Sequence, residues 1–197
     1  MNKNLTEIVF LLDRSGSMSG LEKDTIGGFN SFIERQCQEE GEVKLTTVLF
    51  DDNVEVLWDG VDAKRVSLTR NEYFVRGCTA LLDAIGKTIL DVGIRLSNTP
   101  EGERPRNIIF VITTDGMENS SQEFTYEKIN SLIHHQAEKY NWQFLFMGAN
   151  IDVAKEAENL GIKQEQAFQF EATDVGVEKM YESVCEMVLE KRNTMNE

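Results

Sequence analysis

The segment IVFLLDRSGSMSG, Ile8 to Gly20, runs an apolar stretch into an aspartate and then into hydroxyls and glycines. Asp13, Ser15 and Ser17 alternate along it, and Gly16 frees the backbone to turn tightly around whatever their oxygens face. Further oxygen donors stand at similar junctions: Thr79 in RGCTA, before a helix-periodic stretch, and Asp115 in TTDG, after an apolar run. Hydroxyl, carboxylate and water oxygens are hard ligands, suited to octahedral magnesium and poor for zinc, which favours histidine and cysteine. Together Asp13, Ser15, Ser17, Thr79 and Asp115 predict a divalent-cation site.

Other chemistries fit less well. Aspartate and serine at this spacing, taken alone, make a helix-capping turn, and only the addition of Thr79 and Asp115 points to a metal. IGKT, Ile85 to Thr88, imitates the end of a phosphate loop, but Leu81 stands where that loop needs glycine. Between Gly16 and Gly20 the nucleophile position of a serine-hydrolase elbow is Met18. A magnesium-dependent phosphohydrolase of the haloacid-dehalogenase type also starts from an aspartate after a strand. Its general acid/base lies two residues on, where this chain has the weakly acidic Ser15, so this reading stays as the alternative. Cys37, Cys78 and Cys185 show no metal spacing and read as reduced packing residues. His134 and His135 are expected to face solvent or to cap a helix end. Asp51 and Asp52 read as hairpin-turn residues, Asp83 as a helix-end or supporting carboxylate, and Asn119 and Ser120 as loop residues.

The elements that must position these groups alternate strand-length apolar runs with helix-periodic segments, which predicts an α/β fold. Ile8 to Leu12 is apolar enough to be a central strand buried on both faces. A helix follows over about 21–38; Gly27 and Gly28 in its interior are ascribed to close packing on the sheet. Val43 to Phe50 and Val54 to Trp58, joined by Asp51-Asp52-Asn53, predict an antiparallel hairpin that puts one strand at the edge. Leu81, Leu82, Ile85, Ile89 and Val92 share one face of a second helix. Ile108 to Ile112 is the second central strand, entered from the polar loop PEGERPR. A helix from Tyr126 to Lys139, a strand from Phe144 to Met147, a short helix between Asp152 and Gly161 and a strand from Ala167 to Phe170 complete the pattern. Thr173 or Asp174 caps a last helix whose Val177, Met180, Tyr181, Val184 and Val188 align. The fold class is therefore doubly wound, with a mostly parallel central sheet, one antiparallel edge strand and helices on both faces. Asp13 and Asp115 end parallel neighbouring strands, where such sheets bind ligands.

At this point DRSGS (Asp13 to Ser17), Thr79 and the aspartate of TTDG together resemble the metal-ion-dependent adhesion site (MIDAS) of the von Willebrand factor type A family, over about residues 5–170. The resemblance implies a magnesium or manganese ion held directly by Ser15, Ser17 and Thr79, with Asp13 and Asp115 acting partly through water. It implies a protein partner that completes the coordination with an acidic side chain, and binding in place of catalysis. It also implies a compact stand-alone bacterial protein, of a kind associated with ATPase machines, stress response or metal resistance; length makes the chain a single domain over 1–197, and the aligned apolar residues put the C-terminal helix at about 174–192.

Composition agrees with these expectations. The chain has 197 residues, of which 41% are hydrophobic and 27% charged, enough for one core-forming domain. A formal charge of -14 repels phosphate, which disfavours nucleic acid and anionic membranes and makes a basic protein surface the easier partner. The absence of a signal-peptide pattern and of a long apolar run predicts a cytoplasmic protein.

Overall fold

A computed structural model describes residues 1–194. Side-chain alternation along the first strand, β1 (Asn2–Asp13), divides the interior in two: Ile8, Phe10 and Leu12 enter one apolar core, Val9 and Leu11 the other. Residues Leu5 to Asp13 are all buried, as expected of a strand covered on both faces. β1 continues through helix α1 (Glu22–Gln38) to β2 (Glu42–Phe50), which pairs parallel with it. The Asp51-Asp52-Asn53 turn then folds β3 (Val54–Asp62) back antiparallel onto β2.

From β3 the chain crosses through α2 (Leu81–Asn98) to β4 (Pro105–Thr114), parallel to β1 on its other side. Then α3 (Tyr126–Tyr140), β5 (Gln143–Gly148), α4 (Val153–Leu160), β6 (Ala167–Gln169) and α5 (Asp174–Thr194) follow. The six-stranded sheet has the order β3-β2-β1-β4-β5-β6, mostly parallel with β3 antiparallel at one edge, as expected. α1 and α5 share the core on one face, and α2, α3 and α4 that on the other. The connection after β1 therefore leaves on one face and that after β4 on the other, which opens a crevice between the ends of these two strands.

The caps follow the sequence. The Asp152 side chain accepts from the Lys155 N–H, Gly161 ends α4 at φ +81°, and the Thr173 hydroxyl accepts from the Gly176 N–H to start α5. The aligned apolar residues of α5 are all buried against α1 and the sheet.

Several expectations need correction. β1, β2, β4 and β5 begin earlier than their apolar runs do, β3 runs on to Asp62, β6 stops at Gln169, and part of PEGERPR forms a single 3-10 turn, Glu101–Glu103, before β4 starts at Pro105. The glycine pair of α1 does not mark packing on the sheet. A Cβ on Gly28 would lie 2.2 Å from Tyr181 Cδ2 of α5, whereas one on Gly27 would meet nothing within 4 Å. Of the three cysteines only Cys185 is buried; Cys37 is half-buried, and Cys78 is exposed beside Thr79.

Candidate metal centre

The five predicted ligands meet at the C-terminal edge of the sheet, in the crevice between β1 and β4. Asp13 ends β1, and its buried carboxylate accepts from the Ser15 N–H at 2.7 Å through Oδ1 and from the Thr114 hydroxyl at 2.6 Å through Oδ2. The first bond curls the Ser15 loop back over the end of the strand; the second ties β1 to β4. The Ser15 and Ser17 hydroxyls lie 3.0 Å apart, and Ser17 Oγ donates to Asp115 Oδ1 at 2.5 Å. Thr79 completes the group. A Cβ on Gly116 would lie 3.4 Å from Ser17 Oγ and 3.6 Å from Thr79 Oγ1, so that glycine keeps clear a space which both hydroxyls border.

Electrostatics favour a cation here. Burial pushes the Asp13 carboxyl up to about 6, against the lowering effect of its hydrogen bonds from Thr114 and Ser15, with a further small push from Asp115. Burial raises the Asp115 carboxyl as well. Its Oδ2 is buried and accepts no hydrogen bond among the described residues. Two desolvated acids, one with an unused oxygen, beside a set of neutral hydroxyls fit a divalent ion with hard-ligand preferences. Among the described residues no group of three or more His, Cys, Asp and Glu side chains gathers in a metal-binding arrangement, so the donor set here is hydroxyl-rich.

The loops are held by residues that are not predicted ligands. Arg14, between two predicted ligands, points away from the site and is fully buried; its Nε donates to Asp51 Oδ2 at 2.7 Å, and its Nη2 lies 2.8 Å from the Glu55 carboxylate. Arg76 Nε donates to the same Asp51 oxygen at 2.8 Å, and the Ala80 N–H donates to the Asp51 carbonyl at 2.8 Å. Asp51 therefore joins the Ser15 loop to the Thr79 loop. Burial works against its charge, but hydrogen bonds from Arg76, Asn53 and Arg14 outweigh that and hold the carboxyl below its ordinary value. Backbone bonds run alongside, from Gly16 N–H to the Gly77 carbonyl and from Arg76 N–H to the Arg14 carbonyl. Phe74 packs its ring against both guanidinium groups, and the Tyr73 hydroxyl donates to the Asp13 carbonyl at 2.6 Å.

The third loop is organised by carboxylates. Asp83 accepts from the backbone N–H groups of Gln122, Glu123 and Phe124, and Glu118 from those of Leu82, Ser120 and Ser121. Asn119 Oδ1 accepts from the Thr79 N–H at 2.9 Å, so it steadies the ligand loop. Asp83 is thus a loop clamp, and Asp51 far more than a turn residue. His134 is exposed and bonds within its own helix, and His135 is exposed beside Tyr140; neither approaches the site. A buried residue's long-range partner has no local signature, which is why Arg14, Asp51, Tyr73, Arg76 and Thr114 escape a reading of the motif. The one usable signal was the placement of an arginine inside it.

Neither a protein-family model nor a curated protein matches the sequence. Solved structures do. Proximal thread matrix protein 1 from the mussel byssus superposes with a TM-score of 0.67 at 16% identity, covering 94% of this chain and 47% of that one. The same mussel protein with a zinc-occupied MIDAS motif matches with a TM-score of 0.63 at 16% identity, covering 95% of this chain and 46% of that chain. The ArnB paralog VWA2 from Sulfolobus acidocaldarius matches with a TM-score of 0.57 at 16% identity, over 94% of this chain and 45% of that one. The chain thus spans about half the length of these structures. With this sheet order, a crevice between β1 and β4 and these structural neighbours, the chain has the von Willebrand factor type A fold.

Proposed function

We propose that the chain is a divalent-metal-dependent protein-binding module, in which the ion takes an acidic side chain from a partner protein and no reaction follows. The observation that carries this reading is the buried, unpartnered Asp115 Oδ2, set among the hydroxyls of Ser15, Ser17 and Thr79 at the sheet edge. Those hydroxyls and Asp115 would hold the ion. Asp13 would supply charge from just beneath, its own oxygens being occupied by Ser15 and Thr114. When bound, the ion supplies an electrophilic centre for a carboxylate, because neutral hydroxyl ligands leave most of its charge uncompensated.

The same engagement of Asp13 speaks against its use as a nucleophile and so against the phosphohydrolase alternative. Hard oxygen donors favour magnesium or manganese. The mussel protein's zinc-occupied motif makes zinc a necessary comparison. The partner is a protein with an exposed acidic residue on an otherwise basic surface, since the charge of -14 disfavours nucleic acid and anionic membrane. No helix among the described residues is long and apolar enough to cross a membrane. A cytoplasmic, bacterial setting completes the proposal, supported by a composition with free thiols and many acids.

The test is affinity capture with the intact chain in magnesium, repeated with chelator and with Asp13→Ala. Capture that is specific to magnesium and lost with both supports the module. Capture indifferent to metal, or magnesium-dependent turnover of p-nitrophenyl phosphate that Asp13→Ala abolishes, would overturn it.

A further inference from the structure

The opposite end of the sheet carries a second surface. Between the C-terminal halves of α2 and α3, over the N-terminal ends of β4 and β5, lies an open groove of about 470 Å³. Ile89, Leu90, Ile94, Ile108, Tyr140 and Trp142 supply its apolar lining. Much of that lining is in water: Ile94 is 62% exposed, Tyr140 51% and Leu90 43%. Isolated exposed apolar residues are ordinary, but several around one groove mark a surface that something covers.

The charges beside the groove are of the minority sign. Arg104 and Arg106 line it against one acid, Glu101, in a chain of net charge -14. Arg104 is engaged, donating to the Thr99 and Ser97 carbonyls at 2.7 and 3.0 Å at the end of α2. Arg106 is half-buried, and its side chain has no ion pair or hydrogen bond among the described residues. Lys139 adds a cation 5.2 Å above the Tyr140 ring. A half-buried arginine without a carboxylate, in so acidic a protein, is charge waiting for a complement from outside.

The shape favours a helix over a small ligand. Leu90 and Ile94 stand one turn apart on α2, and Gln136 and Tyr140 one turn apart on α3, so the groove runs between two side-chain ridges as it does where a third helix packs. Leu90, Ile94 and Tyr140 line the groove from those ridges and stay 43–62% exposed, so a small molecule seated on its floor would leave much of them in water. We propose that this groove docks an amphipathic helix of a partner protein, apolar on the face that enters and carrying carboxylates along the edge that passes Arg106 and Lys139. The surface lies at the far end of the sheet from Asp13 and Asp115, so it is independent of the metal reading.

Site-specific photo-crosslinking in the native cell tests this. A benzophenone side chain is placed at Ile94, and as an off-groove control at Val56, which is 49% exposed on the edge strand. The crosslinked residue is then mapped by mass spectrometry. The expected result is an adduct at Ile94, absent at Val56, to a partner segment with apolar residues at helical spacing and flanking Asp or Glu. Arg106→Glu or, independently, the fully surface change Lys139→Glu should lower its yield about tenfold, with the melting temperature unchanged for Lys139→Glu. Four results would overturn the proposal: no adduct, an adduct to a lipid or other small molecule, an adduct to a second copy or another segment of this chain, or an adduct insensitive to both charge reversals.

Discussion

Asp13 is a carboxylate that the metal-free fold holds at a cost. Its pKa rises from 3.8 in the unfolded chain to about 6 in the native one, chiefly through burial. Between those values the native state binds the proton and the unfolded state does not. This contribution to stability is therefore complete below about pH 4 and is lost as pH rises through about 6, roughly 3 kcal/mol in all. In chelator, the chain should lose stability across that window, and Asp13→Asn should flatten the loss. Urea unfolding of both chains from pH 4 to 7 measures it as their difference, since Asp51 and Asp83, held below their ordinary values, act in the opposite sense in both; an identical pH dependence of the two would contradict the burial argument. Thr79 differs in kind, because water replaces a hydroxyl more readily than a buried charge. Thr79→Ala should retain magnesium affinity within about tenfold by titration calorimetry, and Asp13→Ala should lose it by 100-fold or more, the order seen for disrupted metal shells. Asp51, which is not among the predicted ligands, should matter as well. Asp51→Asn takes from Arg14 its buried carboxylate and leaves only the half-exposed Glu55, which costs about 3 kcal/mol and lowers magnesium affinity about tenfold by loosening the spacing of the Ser15 and Thr79 loops. Unfolding in chelator and calorimetry in magnesium separate those effects.

At the scale of elements, adjacent glycines in α1 should respond with opposite signs. Gly27→Ala places its methyl in open space and gains helix propensity, so it should stabilise by about 0.5–1 kcal/mol. Gly28→Ala drives a Cβ into the Tyr181 ring and should destabilise by about 1–3 kcal/mol, the range of overpacking. Thermal unfolding of the pair measures both. The contrast also shows what local pattern conveys. The glycines are visible in the sequence as a helix-propensity deficit, but the helix that Gly28 approaches begins more than a hundred residues later, and a pattern of period 3.6 does not name its partner. The approximate place of each helix, the inward faces of α2 and α5, and the hairpin were legible because they are properties of consecutive residues. The packing of α5 on α1 was not, nor were the bonds from Arg192 to the Gln36 side chain and carbonyl and to the Glu40 carbonyl, at 2.8, 2.8 and 2.9 Å. The proximity of the five predicted ligands was legible for the same reason that the strands were: each of their loops follows or precedes an element readable by itself.

On the scale of the whole molecule, a bound ion acts through linkage. A ligand that binds the native chain and not the unfolded one stabilises by roughly 2.7 kcal/mol at a hundred times its dissociation constant. For a chain of this size that corresponds to a rise in melting temperature of about 5–10 °C. Net charge complicates the measurement, since a chain at -14 repels itself and any cation relieves part of that. Screening depends on ionic strength and not on the identity of the ion, and it acts on every surface carboxylate alike. A site built from Ser15, Ser17, Thr79 and Asp115 depends on both. The shift in millimolar magnesium should therefore exceed that in sodium chloride of matched ionic strength by most of its size. It should vanish in Asp13→Ala, a change that removes only one of the chain's 34 carboxylate side chains and leaves general screening essentially intact. Manganese should reproduce the shift, and zinc belongs in the series because the mussel protein's motif holds it. Differential scanning calorimetry decides the matter. An equal shift in magnesium and in matched salt, or one that persists in Asp13→Ala, would mean that the acidic surface responds to the ions and that the crevice between β1 and β4 holds none.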